Sequence, residues 1–419
     1  MTESLFDLKE KVVLFIGAVF PEPESSAAGT RIMQLIDLFK SNECIIHFAT
    51  DADNLEYSIN LKEEDIQVES IQLNDSSFND FLLRINPEIV VFDRFMTEEK
   101  FGWRVIETVP KALRILDMED FHGLRLARQK AVENGRLAKE ANLNQPATFR
   151  EIASIFRCDL SLVISSFELD ILEREIGIPK RLLHYLPLFA KPSADNISLN
   201  SFHERKNFVS IGNFRHPPNL DSVLQLKHEI WPQIRHAIPH AELHIYGAYE
   251  NSIISTLNKP SEGFVIKGRA KNVDETLSQY RVMLAPLRFG AGLKGKLIDA
   301  MRNETPSITT NIGAEGMLHE EQWAGFICDD LDDFSDKAIF LYQSQVDWEK
   351  FSAISSHILK KHFLQGDFER EFIDLIKYTI SNLQFSRNGN YIGQMLQLQE
   401  LNATKYMSKW IEEKNKKLN

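Results

Sequence analysis

The chain has 419 residues, 43% of them hydrophobic and 26% charged, with a formal net charge of −12. That length predicts two or three domains with separate cores, and the acidic balance argues against wholesale binding to nucleic acid or to an anionic membrane. Cys44, Cys158 and Cys328 are far apart, with no C-x-x-C and no metal spacing, which fits a reducing compartment and three small buried hydrophobes.

The first residues, MTESLFDLKEKVVLFIG, are acidic before they are apolar and lack the basic start and cleavage site of a signal peptide. The apolar run from Val12 to Phe20 is too short for a bilayer span, which needs about 20 residues. A cytosolic location is expected, and contact with the inner face of a membrane is compatible with it. Runs that read as strands then recur: VVLFIG (12–17), IIHFAT (45–50), EIVVFD (88–93), ALRILD (112–117), LSLVIS (160–165) and LLHYLP (182–187). Several lack polar alternation, as strands buried on both faces of a parallel sheet do. Helical segments such as TRIMQLIDLFK (30–40) and LDILEREIG (169–177) lie between them, giving βαβ units. The stretch 191–207 is polar and aperiodic and reads as a linker. The pattern restarts with FVSIG (208–212), ELHIYG (242–247), FVIKG (264–268), RVMLAPL (281–287), PSITT (306–310) and GFICDD (325–330). The expected fold class is therefore α/β, with doubly wound domains over 1–190 and 208–375. A helical C-terminal segment, 376–419, is expected to follow. In that segment Met395, Leu396, Leu398, Met407, Trp410 and Ile411 suggest a packed helix with a solvated tail. A basic amphipathic membrane contact is the alternative, and Glu412 and Glu413 weigh against it.

The stretch LRFGAGLKGKLIDAM (287–301) leaves a strand and enters a helix. Gly290, Gly295 and Lys296 fit G-x-x-x-x-G-K, but the hydroxyl residue that would hold Mg²⁺ for ATP chemistry is replaced by Leu297. Gly290, Gly292 and Gly295 allow close backbone approach and positive φ. The amides and dipole at the helix start favour an anion, and Lys294, Lys296 and Arg288 add charge suited to a diphosphate. The loop thus fits a diphosphate held without metal better than it fits ATP hydrolysis. Two further strand-end loops share its character. VSIGNFRHPPNLDSV (209–223) carries Gly212, Arg215 and His216, with Asn219 as the expected helix N-cap. TTNIGAEGM (309–317) carries Gly313, Glu315 and Gly316. Three such loops in one domain suggest one cleft for an extended polar ligand. Asp299, about a turn beyond Lys296, could accept hydrogen bonds from ribose hydroxyls. In the first half, LDMEDFHGLRLARQ (116–129) gathers Asp117, Glu119, Asp120, His122, Arg125 and Arg128, with a spacing that fits no metal rule. Glu119 and Asp120 are candidates for holding acceptor hydroxyls. Arg125, Arg128, Lys130, Arg136 and Lys139 read as a solvated helix face. Their sharper reading, with Arg125 in the lead, is contact with an acceptor bearing a lipid diphosphate.

The order of FVSIGNFRHPPNLDSV, AELHIYG, FVIKGRAKNVDETLSQYRVMLAPLRFGAGLKGKLIDAM and PSITTNIGAEGM resembles the GT-B glycosyltransferases, most closely the retaining family 4 (glycosyl transferases group 1). The resemblance is clear over about 208–330 and weaker in LFIGAVFPEPESSAAGTRIMQLIDLF and RILDMEDFHGLR. It implies two facing Rossmann-like domains, the nucleotide-sugar in the second, the acceptor mainly on the first, and a final helix crossing back. By position it implies diphosphate contacts from Gly29, Gly212 and the loop after it, the amides of Gly290 to Gly295, Lys294 and Lys296. Asp299 falls at the second glutamate of E-x7-E, on the ribose side, and Gly313 to Glu315 fall beside the donor. His122 falls at the N-domain histidine that approaches the transferred sugar, the candidate catalytic residue. The chain departs from the pattern at Ala291, the first glutamate of E-x7-E, and at Asn213 and Pro218, where Arg and Lys are usual. Arg215 or His216 are the candidates to replace those charges. A subgroup with FGAG-K-K shares the first departure.

The activity these readings imply is transfer of a hexose-type sugar from a nucleoside-diphosphate sugar to a glycan or lipid-linked glycan. Retention of configuration is implied, with no cofactor and no metal. A sugar-nucleotide epimerase, a P-loop ATPase and a non-catalytic scaffold on a degenerate transferase fold are the rivals.

Overall fold

The computed structural model describes residues 6–190, 200–318 and 322–416. The expected linker 191–207 lies outside them up to residue 199. The first domain is one seven-stranded sheet built from β1 (Val12–Gly17), β2 (Ile45–Thr50), β3 (Gln67–Ser70), β4 (Ile89–Asp93), β5 (Leu113–Asp117), β6 (Leu160–Val163) and β7 (Leu183–Tyr185). Its order is β3-β2-β1-β4-β5-β6-β7, and all pairs are parallel. The second domain repeats the plan with β8 (Lys206–Ile211), β9 (Leu243–Tyr246), β10 (Phe264–Gly268), β11 (Tyr280–Ala285), β12 (Ser307–Thr309) and β13 (Gly325–Ile327), in the order β10-β9-β8-β11-β12-β13. Both are doubly wound Rossmann-like sheets, and each changes winding direction at one pair of central strands, β1/β4 and β8/β11. Ligands bind at the carboxyl ends of such strands.

The continuous apolar runs explain this topology. Ile89–Asp93 and Leu113–Asp117 are buried at every residue, which only a sheet covered by helices on both faces allows. The edge strand β3, QVES, is polar and half-exposed, and its composition carries no strand signal.

Six helices position the site. They are α1 (Ala27–Ser41), α2 (His122–Glu133), α3 (Ser166–Asp170), α4 (Pro217–Gln225), α5 (Gly295–Arg302) and, after the second sheet, α6 (Gln365–Ser381). The segment expected as one helix over 169–177 divides into α3 and a wider turn over Ile171–Glu175. A final helix, α7 (Tyr391–Lys416), follows. The chain changes side at Leu364, ahead of the boundary expected at 375. There the chain bridges to Ala190 of the first domain, and Phe372, Ile373 and Ile376 of α6 pack into the core beside β1 and α1. On α7 only part of the apolar set faces inward. Leu396 packs against the first domain, whereas Met395, Leu398, Met407 and Trp410 are exposed. Glu412, expected to repel a surface, is turned inward to Arg104. The three cysteines are free and buried. Among the described residues, no helix is long and apolar enough to cross a membrane.

Candidate functional site

A cavity of about 440 Å³ lies between the carboxyl ends of the two sheets. The second-domain wall is made by the loops after β8 and β11, the strands at which that sheet changes direction. It includes Gly212, Arg215, Gly290, Gly292, Lys294, Gly295, Lys296 and Asp299. The first-domain wall includes Glu119, Asp120, His122 and Arg125.

The glycine loop is built for close approach. Gly290 has φ 152° and Gly292 φ 64°, in the region side chains avoid. α5 begins at Gly295 with Lys294 as its N-cap, and no side chain satisfies its first amides. An uncapped N-terminus on the cavity wall, with two lysines in its first turn, is a site for an anion. Lys296 Nζ donates to Asn219 Oδ1 at 2.7 Å. A Cβ at Gly212 would fall 2.8 Å from that Nζ, so this glycine makes room for the ammonium. Burial lowers the Lys296 pKa to about 7, since no carboxylate stands against it. Lys294 is 7% exposed and donates to the Gly292 carbonyl at 2.7 Å; burial lowers its pKa too, against the pull of Glu315 and Glu168. Leu297, in the place of the P-loop hydroxyl, is fully buried in the second domain's core. Asp299 faces the cavity and pairs with Arg302 at 3.0 Å, and burial raises its pKa to about 6.

Across the cavity, α2 starts at His122. The amides of His122 and Gly123 donate to the buried Glu151 carboxylate at 3.2 and 2.9 Å, which fixes the helix start from behind. Burial raises Glu151 to about 8. Asp120 holds His122 Nδ1 at 2.8 Å and Arg125 Nε at 2.6 Å. Burial opposes the His122 charge, but the Asp120 carboxylate outweighs it and raises the pKa to about 9. His122 is therefore an imidazolium at neutral pH, able to donate a hydrogen bond from Nε2 and unable to accept a proton. Burial resists ionisation of Asp120, and His122 and Arg125 overcome it, holding the carboxyl well below its ordinary range. Glu119 sits at φ 64°, 3.4 Å from Arg94. Burial lifts its pKa to about 7 despite Arg94, with Asp93 and Asp120 adding to the rise.

Not every expected residue reaches the cavity. Gly29 packs α1 onto the preceding loop: its Cβ would fall 2.3 Å from the Glu22 carbonyl carbon, and its amide donates to Ser26 Oγ at 3.0 Å. Gly313 is likewise a packing glycine, since a Cβ there would strike Thr309 Oγ1 at 1.9 Å. Glu315 stands behind the glycine loop, where Arg128 holds both its oxygens at 2.6 and 2.8 Å. Arg128, expected on a solvated face, is thus 4% exposed and tied to the other domain, whereas Lys130, Arg136 and Lys139 are exposed. Arg288 pairs with Asp221 off the cavity wall. Arg215 lines the rim, with its guanidinium 3.5 Å from the Tyr249 ring centre. The N-cap of α4 is His216, not Asn219, because Pro217 takes the first helical position. Sequence reasoning missed Arg94, Glu151 and Glu168. Glu151 and Glu168 lie mid-segment, far from any motif, and only the folded chain brings them to the loops.

Comparison with known proteins agrees with this architecture. Residues 205–344 match the family described as glycosyl transferases group 1. A Klebsiella pneumoniae relative, an uncharacterised 44.6 kDa protein in the cps region, is 29% identical over 176 residues. That match spans 40% of this chain and 42% of the relative, less than half of either. Sucrose-phosphate synthase from Thermosynechococcus elongatus superposes with a TM-score of 0.66 at 12% identity, over 89% of this chain and 100% of that one. The Anabaena protein HepE in complex with UDP and glucose gives 0.64 at 10% identity, over 87% and 98%. Staphylococcus aureus TarM in complex with UDP and glycan ligands gives 0.56 at 13% identity, over 71% of this chain and 57% of that one. The two facing Rossmann-like domains with a helical C-terminal segment are the GT-B fold.

Proposed function

We propose that the chain is a retaining glycosyltransferase that moves a hexose-type sugar from a nucleoside diphosphate to a glycan or lipid-linked glycan. The observation that carries this reading is one cavity bounded by two different half-sites. The uncapped start of α5 with Lys294 and Lys296 forms one, and the His122, Asp120 and Arg125 cluster forms the other. The group 1 glycosyltransferase match lies on the half that holds the α5 site. Solved neighbours holding UDP with a sugar support a nucleotide-sugar donor, and the cps-region relative supports a polysaccharide acceptor.

In this reading the departing diphosphate lies at the amides of Gly290, Lys294, Gly295 and Lys296, with the two ammonium groups neutralising its growing charge. Asp299 receives the ribose hydroxyls. The His122 imidazolium donates to an oxygen of the transferred sugar and orients it. Glu119, Asp120 and Arg125 set the acceptor hydroxyl against the donor face, and the closed domains exclude water. Gly313 and Glu315 act on the donor through the back of the loop, without touching the sugar. Diphosphate binding needs no metal in this scheme. The enzyme works in the cytosol or at the membrane's inner face, where exposed Lys130, Arg136 and Lys139 would meet an anionic lipid-linked acceptor.

The test is a thermal-shift panel of UDP, GDP, ADP, their sugar conjugates and ATP, each with Mg²⁺ and with a chelator. A metal-independent shift with one diphosphate and its sugar is expected. A shift confined to ATP with Mg²⁺ would refute the donor site. Conversion of the donor without any acceptor would instead mark an epimerase.

A further inference from the structure

Two first-domain side chains outside the cavity lining grip the glycine loop from behind. Arg128 Nη1 donates to the Gly290 carbonyl at 3.0 Å while its guanidinium fork holds Glu315. Glu168, on α3, accepts the Gly292 amide at 2.6 Å. The same carboxylate accepts the Phe121 amide, one residue before His122. Arg128 is 4% exposed and Glu168 1%. Between the two gripped residues, Ala291 packs against the first domain's core. A Cβ at Gly292 would fall 2.9 Å from the Asp120 Cβ and 3.1 Å from Ile164 Cδ1. The tip of the second domain's loop is therefore seated inside the first domain. Ala291, the departure from E-x7-E, fits this seat, where a glutamate would meet apolar neighbours.

A loop carrying glycines at φ 152° and 64° has many conformations of similar energy when nothing holds it. Here a cation fixes one of its carbonyls and an anion fixes the amide two residues on. Neither contact comes from the domain that carries the loop. Glu168 also ties that amide to the start of α2, so the diphosphate half-site and the His122 half-site share one carboxylate. Resting on the donor site proposed above, we infer that Arg128 and Glu168 are positioning residues for the diphosphate loop. The cradle takes its binding shape only when the domains are closed, and the first domain sets that shape.

The β-phosphate should feel this dependence, while the nucleoside and α-phosphate should feel it little. The experiment is calorimetric titration of the full chain with UDP, GDP and ADP and with the matching monophosphates. For the nucleotide that the wild type binds, R128A and E168A should weaken the diphosphate about tenfold or more, the worth of one charge-assisted hydrogen bond. The monophosphate should stay within about threefold, having no phosphate at the gripped loop. E168Q keeps an acceptor oxygen for the Gly292 amide and should recover part of the affinity. R128K lacks the fork and should not. Melting curves without nucleotide confirm folding, and R128M, which keeps the packing stem, stands in should R128A not fold. Unchanged diphosphate affinity in folded variants, or equal loss for both nucleotides, would overturn the positioning role and leave the donor site standing. A wild type that binds none of the six nucleotides would overturn the donor site and this proposal with it.

Discussion

Asp120 Oδ1 lies 2.8 Å from His122 Nδ1, while its second oxygen holds Arg125 Nε at 2.6 Å. One carboxylate thus sets both the charge and the orientation of the only histidine on the first-domain wall of the cavity. The pair makes His122 a fixed hydrogen-bond donor, which suits the stabilisation of an oxygen better than it suits proton abstraction.

The His122 imidazolium should persist to a pKa of about 9, against an ordinary value of 6.5. A pKa raised by folding stabilises the protein fully below the unfolded value, and that contribution is lost as the pH rises through the folded one. An NMR titration of the His122 ring in the wild type and in D120N checks this. The D120N ring should titrate lower, and a wild-type ring already neutral at pH 7 would contradict the geometry.

Diphosphate affinity should fall with rising pH. The Lys296 pKa is about 7 in the empty site, and a bound anion raises it. Affinity is then at its full value below about pH 7 and declines above it, by up to about tenfold per pH unit, until the bound-state pKa is reached. Calorimetry across pH 6 to 9 reads both the slope and the proton uptake, and K296A should flatten the slope.

Two glycine substitutions should separate packing from binding. In G29A the new Cβ meets the Glu22 backbone at 2.3 to 2.5 Å, atoms that cannot step aside. A stability loss of at least about 2 kcal/mol should appear in urea unfolding. In G212A the nearest atoms are the Asn219 side chain at 2.7 Å and Lys296 Nζ at 2.8 Å, both ends of mobile side chains. That variant should fold nearly as well as the wild type and bind the diphosphate about tenfold more weakly, through a displaced ammonium.

The returning helix α6 should behave as part of the first domain. Phe372 is fully buried, packing edge-on against Phe39 at 5.9 Å and stacked with His184. F372A should cost about 3–5 kcal/mol in unfolding measurements, the range for a large buried aromatic. A loss below about 1 kcal/mol would show that α6 is an appendage.

The sheets were legible because strands buried on both faces read as apolar runs, and VVLFIG and IIHFAT begin and end where β1 and β2 do. β3 was not, because a short edge strand needs no apolar face. The start of α5 was legible because glycines, lysines and a strand end converge within one stretch of chain. Gly29 shows the limit of that logic: a glycine beside a helix start can serve a ligand or a tight backbone crossing, and its own neighbours do not say which. Arg128 and Glu168 were beyond reach for another reason. Each answers to residues more than a hundred positions away, Gly290 and Gly292, and a helix-surface pattern cannot register a partner in a different domain.

The chain leaves the first domain at Ala190 and regains it at Leu364, and there the two crossings are bonded to each other, with the Ala190 amide donating to the Phe363 carbonyl at 2.8 Å. Two covalent passages fastened side by side act as the spine of a book. Motion of one sheet relative to the other is reduced to a single rotation about that line. Atoms near the spine, such as the Leu188 side chain under Gly295, change separation little, whereas the Arg269–Glu24 and Tyr57–Tyr249 contacts across the mouth travel farthest. A nucleotide entering between the pages would therefore meet a wall already in place at its inner end and a wide gap at its outer one.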